Sequence, residues 1–437
     1  MAHVAPFCAL RYDPSRVNVE QVVTQPYDKI TPEMQDRYYA ASPYNLVRII
    51  LGKHQTRDQP GQNVYTRAAA SFREWRRQGI LRQDRQPCLY RYAQRFIGPG
   101  GGAELERRGF IALGRIEDYS ANVVFRHEQT LAKPKADRLE LLRATRAHFG
   151  QIFVLYSDPA GEIDGLLDGS SETVTNVGDE YGVQHQLGCV SDSTLIEVIR
   201  SKMSDKKLII ADGHHRYETA VNYRDECRGT AAPASSAPNE LAPHEFVMMT
   251  FVNMDSPGLL ILPTHRVVHG LASFSADEFR TRAREYFSVD EADPEMDAQR
   301  ATGMLKAAGR AGTALLAVTA NRAFLLDTPK AIGSNRFSGF SLRQQALDVV
   351  QLHRCLLENV LGISDEAIRN QINVTYVRDP VEALSRVRSS SANIAFLMNP
   401  VHMQQVRDIA FAGDVLPQKS TDFYPKLLSG LTIYALE

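Results

Sequence analysis

Cysteine, tryptophan and excess charge are all scarce in this 437-residue chain. Five cysteines occur, Cys8, Cys88, Cys189, Cys227 and Cys355, an odd number with no C-x-x-C pair. That spacing excludes a cysteine metal site and points to reduced thiols in a cytoplasmic protein, not a disulfide framework. No apolar run is long enough to span a bilayer. The first stretch, "MAHVAPFCALRYDPSRV", lacks a basic region followed by an apolar one, so no secretory leader is expected. Lys+Arg number 50 against 51 Asp+Glu, a net charge of −1. A chain without basic excess does not offer a broad nucleic-acid surface, although a local basic pocket is compatible with it.

Several catalytic signatures are missing as well. There is no G-x-x-x-x-G-K-[ST], no G-x-S-x-G and no H-E-x-x-H, since "HEQTL" from His127 and "HEFVM" from His244 both fail the last pattern. "GPGGGA" from Gly98 fits a dinucleotide glycine pattern in form only. It lies between two strand-like runs and opens no helix, so no organic cofactor is expected.

What remains is an ordinary globular composition, 43% hydrophobic and 23% charged, long enough for two or three domains. Helix-like and strand-like segments alternate. Helices are expected at 62–78, 137–149, 193–203 and 216–227, and over "DVVQLHRCLLENVLG". Strands are expected at 88–96, 107–117, 151–158, 207–211 and 245–254, then in "GTALLAVTA", "RAFLLD" and "IAFLMN". The glycine-rich turn at 97–104 joins the first two strands as a hairpin. The fold class is therefore mixed, α/β or α+β. The Ala-, Pro- and Ser-rich stretch 228–243 reads as a flexible loop. The acidic, Pro-containing 288–299 reads as a break. Two regions are expected, 1–270 and 271–437.

The most informative stretch is "LIIADGHHRYETAVNYR", 208–224: a buried strand, a tight loop and a helix. Asp212 and Gly213 turn the chain, His214 and His215 stand at the helix start, and Arg216 lies in its first turn. A helix N-terminus offers unpaired N–H groups and a positive dipole end. Gly213 permits close backbone approach, and the Arg216 fork matches phosphate oxygens. Together they suggest a phosphate cradle, with His214 or His215 as proton carrier. A plain N-cap with surface histidines is the competing reading. Adjacent imidazoles on a helix point about 100° apart, which disfavours a shared metal ion.

Three further clusters carry similar residues. "FRHEQTLAKPKADR" places Arg126, His127, Glu128, Lys133, Asp137 and Arg138 together. It reads as a solvated loop or as a second wall of a polyanion pocket. Thr264, His265 and Arg266 follow an apolar run. Lys419 and Ser420, with Lys426 beyond, lie in a Pro- and Gly-interrupted loop. Asp212, Glu128 and Asp137 are the candidate metal ligands, and Mg2+ is the expected ion. The early loops "TQPYDKI" and "SPYNLVRII" are uninformative alone.

These stretches, with "QPYDKI", "NLVRIIL", "IFVLYSD" and "LPQKSTDFYPKLLSGL", resemble the DUF1015 family from residue 25 to 431. Asp422 departs from the family pattern, which has an apolar or aromatic residue there. Asp212 to Arg216 is similar to the phosphate loop of the ParB/sulfiredoxin-like fold, which includes free serine kinases. The resemblance implies a phosphotransferase that converts free L-serine to O-phosphoserine with pyrophosphate or a nucleotide as donor. In that picture Asp212, His214, His215 and Glu128 are catalytic. Gly213, Arg216, Arg126, His127, Lys133, Arg138, Thr264, His265, Arg266, Lys419, Ser420 and Lys426 bind phosphate or substrate. The alternatives are a phosphatase or pyrophosphatase with the same pocket, and a non-catalytic nucleotide- or nucleic-acid-binding module. A small-molecule substrate and a phosphate donor are the expected partners; membrane and nucleic acid are not.

Overall fold

The computed structural model describes residues 2–128, 132–168, 172–230, 241–331 and 337–437, with backbone only at 132–134 and 172–174. It is a mixed α/β protein. The chain divides into two compact units. The first comprises residues 1–126, 130–260 and 424–437; the second comprises 127–129 and 261–423. The first unit thus ends near 260, where the sequence suggested 270, and it also includes the C-terminal segment.

The first unit is built on a nine-stranded sheet. Its order runs Val124–Phe125, Leu208–Asp212, Ile152–Tyr156, Phe246–Asn253, Glu104–Arg115, Leu89–Ile97, Gln184–Val190, Glu172–Gly178, with Val4–Ala5 also pairing Glu104–Arg115. The central strand Phe246–Asn253 is buried at every position, as expected for a strand covered on both faces. Phe110, Ile152, Val154, Ile210 and Met249 point to one face and pack with Ile199, Tyr217 and Ala220. Alternation sends Tyr92, Gln94, Arg107, Phe153 and Thr250 to the other face.

A six-stranded sheet forms the second unit, in the order Ser288–Ala292, Ala323–Asp327, Ala314–Val318, Ile394–Met398, His265–Val268, Val374–Val377. Every pairing in it is antiparallel. Ala301, Leu305, Leu384 and Val387 pack against its apolar face.

Most sequence elements appear where the patterning placed them, but the helix expected at 137–149 spans Ala132–Thr145 and gives way to the short strand Ala147–His148. Residues 288–299 contain the edge strand Ser288–Ala292 and the start of the helix Ala298–Ala308. Their acidic character reflects an exposed edge, where Glu291 pairs with Arg280 and Arg322. The helix His214–Thr230 runs into the expected loop at 228; residues 231–240 lie outside the described residues. The reading of five reduced thiols is also corrected, because Cys88 and Cys189 form a disulfide, their Cα atoms 6.0 Å apart. The antiparallel pairing of Leu89–Ile97 with Gln184–Val190 brings them together, which no local spacing could reveal. Among the described residues no helix is long and apolar enough to cross a membrane.

Candidate functional site

The strand Leu208–Asp212 is buried through Ala211 and emerges at Asp212. Gly213 then adopts φ +94°, a conformation that costs a side-chain-bearing residue energy. The helix starts at once, with Tyr217 N donating to Gly213 O at 2.9 Å. Arg216, in the first turn, folds back over the loop. A Cβ on Gly213 would lie 3.1 Å from its guanidinium, and a Cβ on Gly150 would lie 3.1 Å from its Nη1. One arginine thus lies close over two glycines. Its Nη1 donates to Gln151 O at 2.5 Å, and its Nη2 lies 3.5 Å from Asp212 Oδ2.

Lys426 reaches the same carboxylate from the C-terminal segment, Nζ to Oδ2 3.9 Å. A buried arginine fixes that segment. Arg107 donates to Tyr424 O at 3.2 Å, to Pro425 O at 2.5 Å and to Gln94 Oε1 at 3.0 Å. Gln94 Nε2 in turn donates to Lys426 O at 2.8 Å. Burial pushes the Arg107 pKa down to about 10, against the pull of Tyr92 and Asp212, so the group stays charged at neutral pH.

Lys29 is carried by the early loop. Gln25 anchors this loop by donating to Asp179 Oδ2 at 3.0 Å. Asp179 lies 3.2 Å from His185 Nε2, whose Nδ1 faces Tyr92 Oη at 2.6 Å. The Tyr27 ring lies under the Arg138 guanidinium at 4.1 Å.

Burial alone would raise the pKa of Asp212. Lys426, Arg216, Lys29 and His214 outweigh it and hold the carboxyl well below the usual carboxylate range. Lys426, Arg216 and Lys29 thus converge on the Asp212 carboxylate at a helix N-terminus. Cations gathered on a carboxylate at a helix N-terminus make a place where a further anion can be accommodated.

The other sequence clusters meet in the second unit and serve one another. Lys419, at φ +56°, donates its N–H to Glu128 Oε1 at 2.7 Å. His127 Nε2 lies 2.7 Å from Thr421 Oγ1, and His127 O accepts from Leu416 N at 2.7 Å. Ser420 Oγ donates to Pro417 O at 2.5 Å. Arg266 is 1% exposed. Its guanidinium binds Thr264 O, Gln418 O at 3.5 Å and Lys419 O at 3.1 Å, over the Tyr376 ring at 5.1 Å. His265 Nδ1 accepts from Met398 N at 3.2 Å. Burial, then the neighbouring Arg266, push the His265 pKa down to about 4. Asp422 is buried and accepts from Arg378 at 2.8 Å, which gives a carboxylate a place where an apolar residue was expected.

The remaining sequence candidates scatter within the first unit. Arg126 is exposed, 5.4 Å from the Tyr119 ring. Arg138 binds Asp137 at 2.8 Å and Ile50 O at 2.6 Å, and Asp137 accepts from Tyr65 at 2.8 Å. The Lys133 side chain lies outside the described residues. His214 and His215 are half-buried at the helix start.

Asp212, Glu128 and Asp137 are each engaged by a cation or an N–H donor. Among the described residues no three His, Cys, Asp or Glu side chains gather as a metal site. Sequence reasoning missed Arg107 and Gln94, and read the loop that carries Lys29 and Tyr27 as uninformative alone. Only the QPYDK motif carried a signal, for the last two.

A family model described as "Protein of unknown function (DUF1015)" matches residues 4–350. No curated protein matches the chain. Among solved structures, a free serine kinase in complex with AMP is similar at 13% identity and a TM-score of 0.36, over 71% of this chain and 89% of that one. A conserved hypothetical protein from Pyrococcus furiosus is similar at 11% identity and 0.35, over 72% and 92%. SbnI from Staphylococcus aureus, truncated at its C-terminus, is similar at 9% identity and 0.36, over 74% and 87%. Likenesses this distant bear on neither ligand nor activity.

Proposed function

The chain belongs to the DUF1015 family, proteins of unknown function, and from that premise we propose that it is a phosphotransferase acting on a small hydroxyl-bearing metabolite. The observation that supports this is the charge arrangement at Asp212. Lys426, Arg216 and Lys29 converge on the Asp212 carboxylate at a helix N-terminus. Such a cradle neutralises the charge on a transferring phosphoryl group, which is where catalysis of this reaction lies.

In this reading the acceptor oxygen bonds to phosphorus and the bridging P–O bond of the donor breaks. His214, whose charge acts on Asp212, takes the hydroxyl proton. Asp212 is too weak a base for that step and instead orients Lys426 and Arg216. L-serine is the first acceptor to test, and pyrophosphate or a nucleotide the donor.

Phosphorus NMR on the purified protein with L-serine, in parallel tubes with pyrophosphate, ADP and ATP, tests the reading. A phosphoserine signal in any tube supports it and names the donor. Orthophosphate formed at the same rate without serine replaces it with hydrolysis, and no change in any tube removes it.

A further inference from the structure

Gln151 precedes the strand Ile152–Tyr156 and is 1% exposed. Neither atom of its side-chain amide has a hydrogen-bond partner among the described residues. A buried amide left this way costs stability, and native proteins rarely keep one without a use. Its direction follows from register. Asp212 pairs with Phe153 across the antiparallel strands, so the two side chains share a face. Gln151, two residues before Phe153, projects to that same face, the one where Arg107 lies 4.7 Å from the Phe153 ring. The Arg216 bond to Gln151 O fixes the residue at the loop end of the sheet.

Two hydroxyls repeat the observation nearby. Thr250 pairs with Phe153 from the parallel neighbour strand, and its Oγ1 is likewise buried with no partner among the described residues. Thr24 Oγ1 is in the same condition. Thr24 exchanges backbone bonds with Ser429 at 3.1 and 2.8 Å, and Ser429 Oγ lies 3.4 Å from the place a Cβ on Gly150 would take. A cavity of about 70 Å³, lined by Tyr27, Gly150, Arg216 and Ser429 among others, comes up to Gly150, the neighbour of Gln151, while Gln151, Thr24 and Thr250 do not themselves line it. That is room for a few heavy atoms, on the order of five waters, and much less than a nucleoside needs.

We infer that Gln151, supported by Thr24 and Thr250, is the specificity-determining residue for the acceptor. Its amide binds a small polar metabolite that presents both a donor and an acceptor beside Asp212. The inference rests on the phosphotransferase reading for the word acceptor, but the binding it claims does not need turnover. Discrimination by paired hydrogen bonds is strong, because an analogue lacking a partner leaves the amide unpaired.

The test compares wild type with Gln151→Leu, and with Gln151→Met as a second variant should leucine prevent folding. In steady-state kinetics KM for L-serine rises at least tenfold while KM for the phosphate donor stays within twofold. The melting temperature of the ligand-free variant is unchanged or higher, since an unpaired amide has been removed. KM for L-serine within twofold of wild type, with a lowered melting temperature, overturns the inference and makes Gln151 structural. Calorimetric titration with L-serine, L-homoserine and glycerol separates this from the phosphotransferase reading. Heat in wild type that is lost in the variant supports the inference even where no phosphate is transferred. Heat that persists in the variant, or no heat with any of the three in wild type, overturns it.

Discussion

Arg216 and Arg266 both follow a histidine at the end of an apolar run, and their surroundings separate them. Arg216 faces a carboxylate that Lys426 and Lys29 also face, so its charge joins a cluster of charges. Arg266 is 1% exposed and binds the carbonyl oxygens of Thr264, Gln418 and Lys419. His127 and Glu128 complete that second arrangement by holding Thr421 and the backbone of Lys419. The same residue types thus build a charged cradle in one unit and a rivet for a loop in the other. The difference lies in what each guanidinium meets, which is other charges in one place and backbone carbonyls in the other.

This contrast breaks most visibly at Lys426. Lys426→Met is expected to lower phosphotransferase turnover at least 100-fold, about 3 kcal/mol of lost charge stabilisation, with the melting temperature within a few degrees of wild type. Arg266→Met should do the reverse. Leaving buried carbonyls unpaired costs about 3 kcal/mol of stability in urea unfolding, while pyrophosphate affinity per folded molecule is unchanged.

His265 gives the second unit an acid limit. Its folded pKa of about 4 lies below the unfolded 6.5, so on acidification the unfolded chain takes up the proton first. Stability from the neutral imidazole is complete above pH 6.5 and is lost as pH falls toward 4, by about 3 kcal/mol at most. Urea midpoints of wild type and His265→Phe across that window check this, and the variant should lose less. Gly213→Ala is a smaller perturbation. Its positive φ and the overlying guanidinium predict about 1–2 kcal/mol of destabilisation, together with weaker pyrophosphate binding as Arg216 is displaced. The smallest effect belongs to Arg126, which is exposed over Tyr119. Arg126→Ala should leave stability within about 0.5 kcal/mol and turnover within twofold.

The sequence made contiguous features legible. The buried run to Ala211, the turn residues Asp212 and Gly213 and the following helix all lie in one stretch. The hairpin around the glycine-rich turn was equally local. Lys426 was visible as a candidate, but not its carboxylate partner, because only the returning C-terminal segment brings it to Asp212. Arg107 was hidden for a related reason. In a strand it reads as one solvent-facing residue of an alternating run, and only the overlying segment turns it into a buried anchor. The Arg266 cluster resembled His215-Arg216 in sequence because composition does not tell a cation facing charges from one facing carbonyls. Gln151 carried no signal at all, since a glutamine before a buried strand is ordinary until its partners are counted.

The most direct test of the account is the rate of phosphoserine formation by wild type and Lys426→Met side by side, followed by phosphorus NMR at saturating donor. The account predicts a product signal in wild type and a rate at least 100-fold lower in the equally stable variant. Equal rates in the two proteins would contradict it.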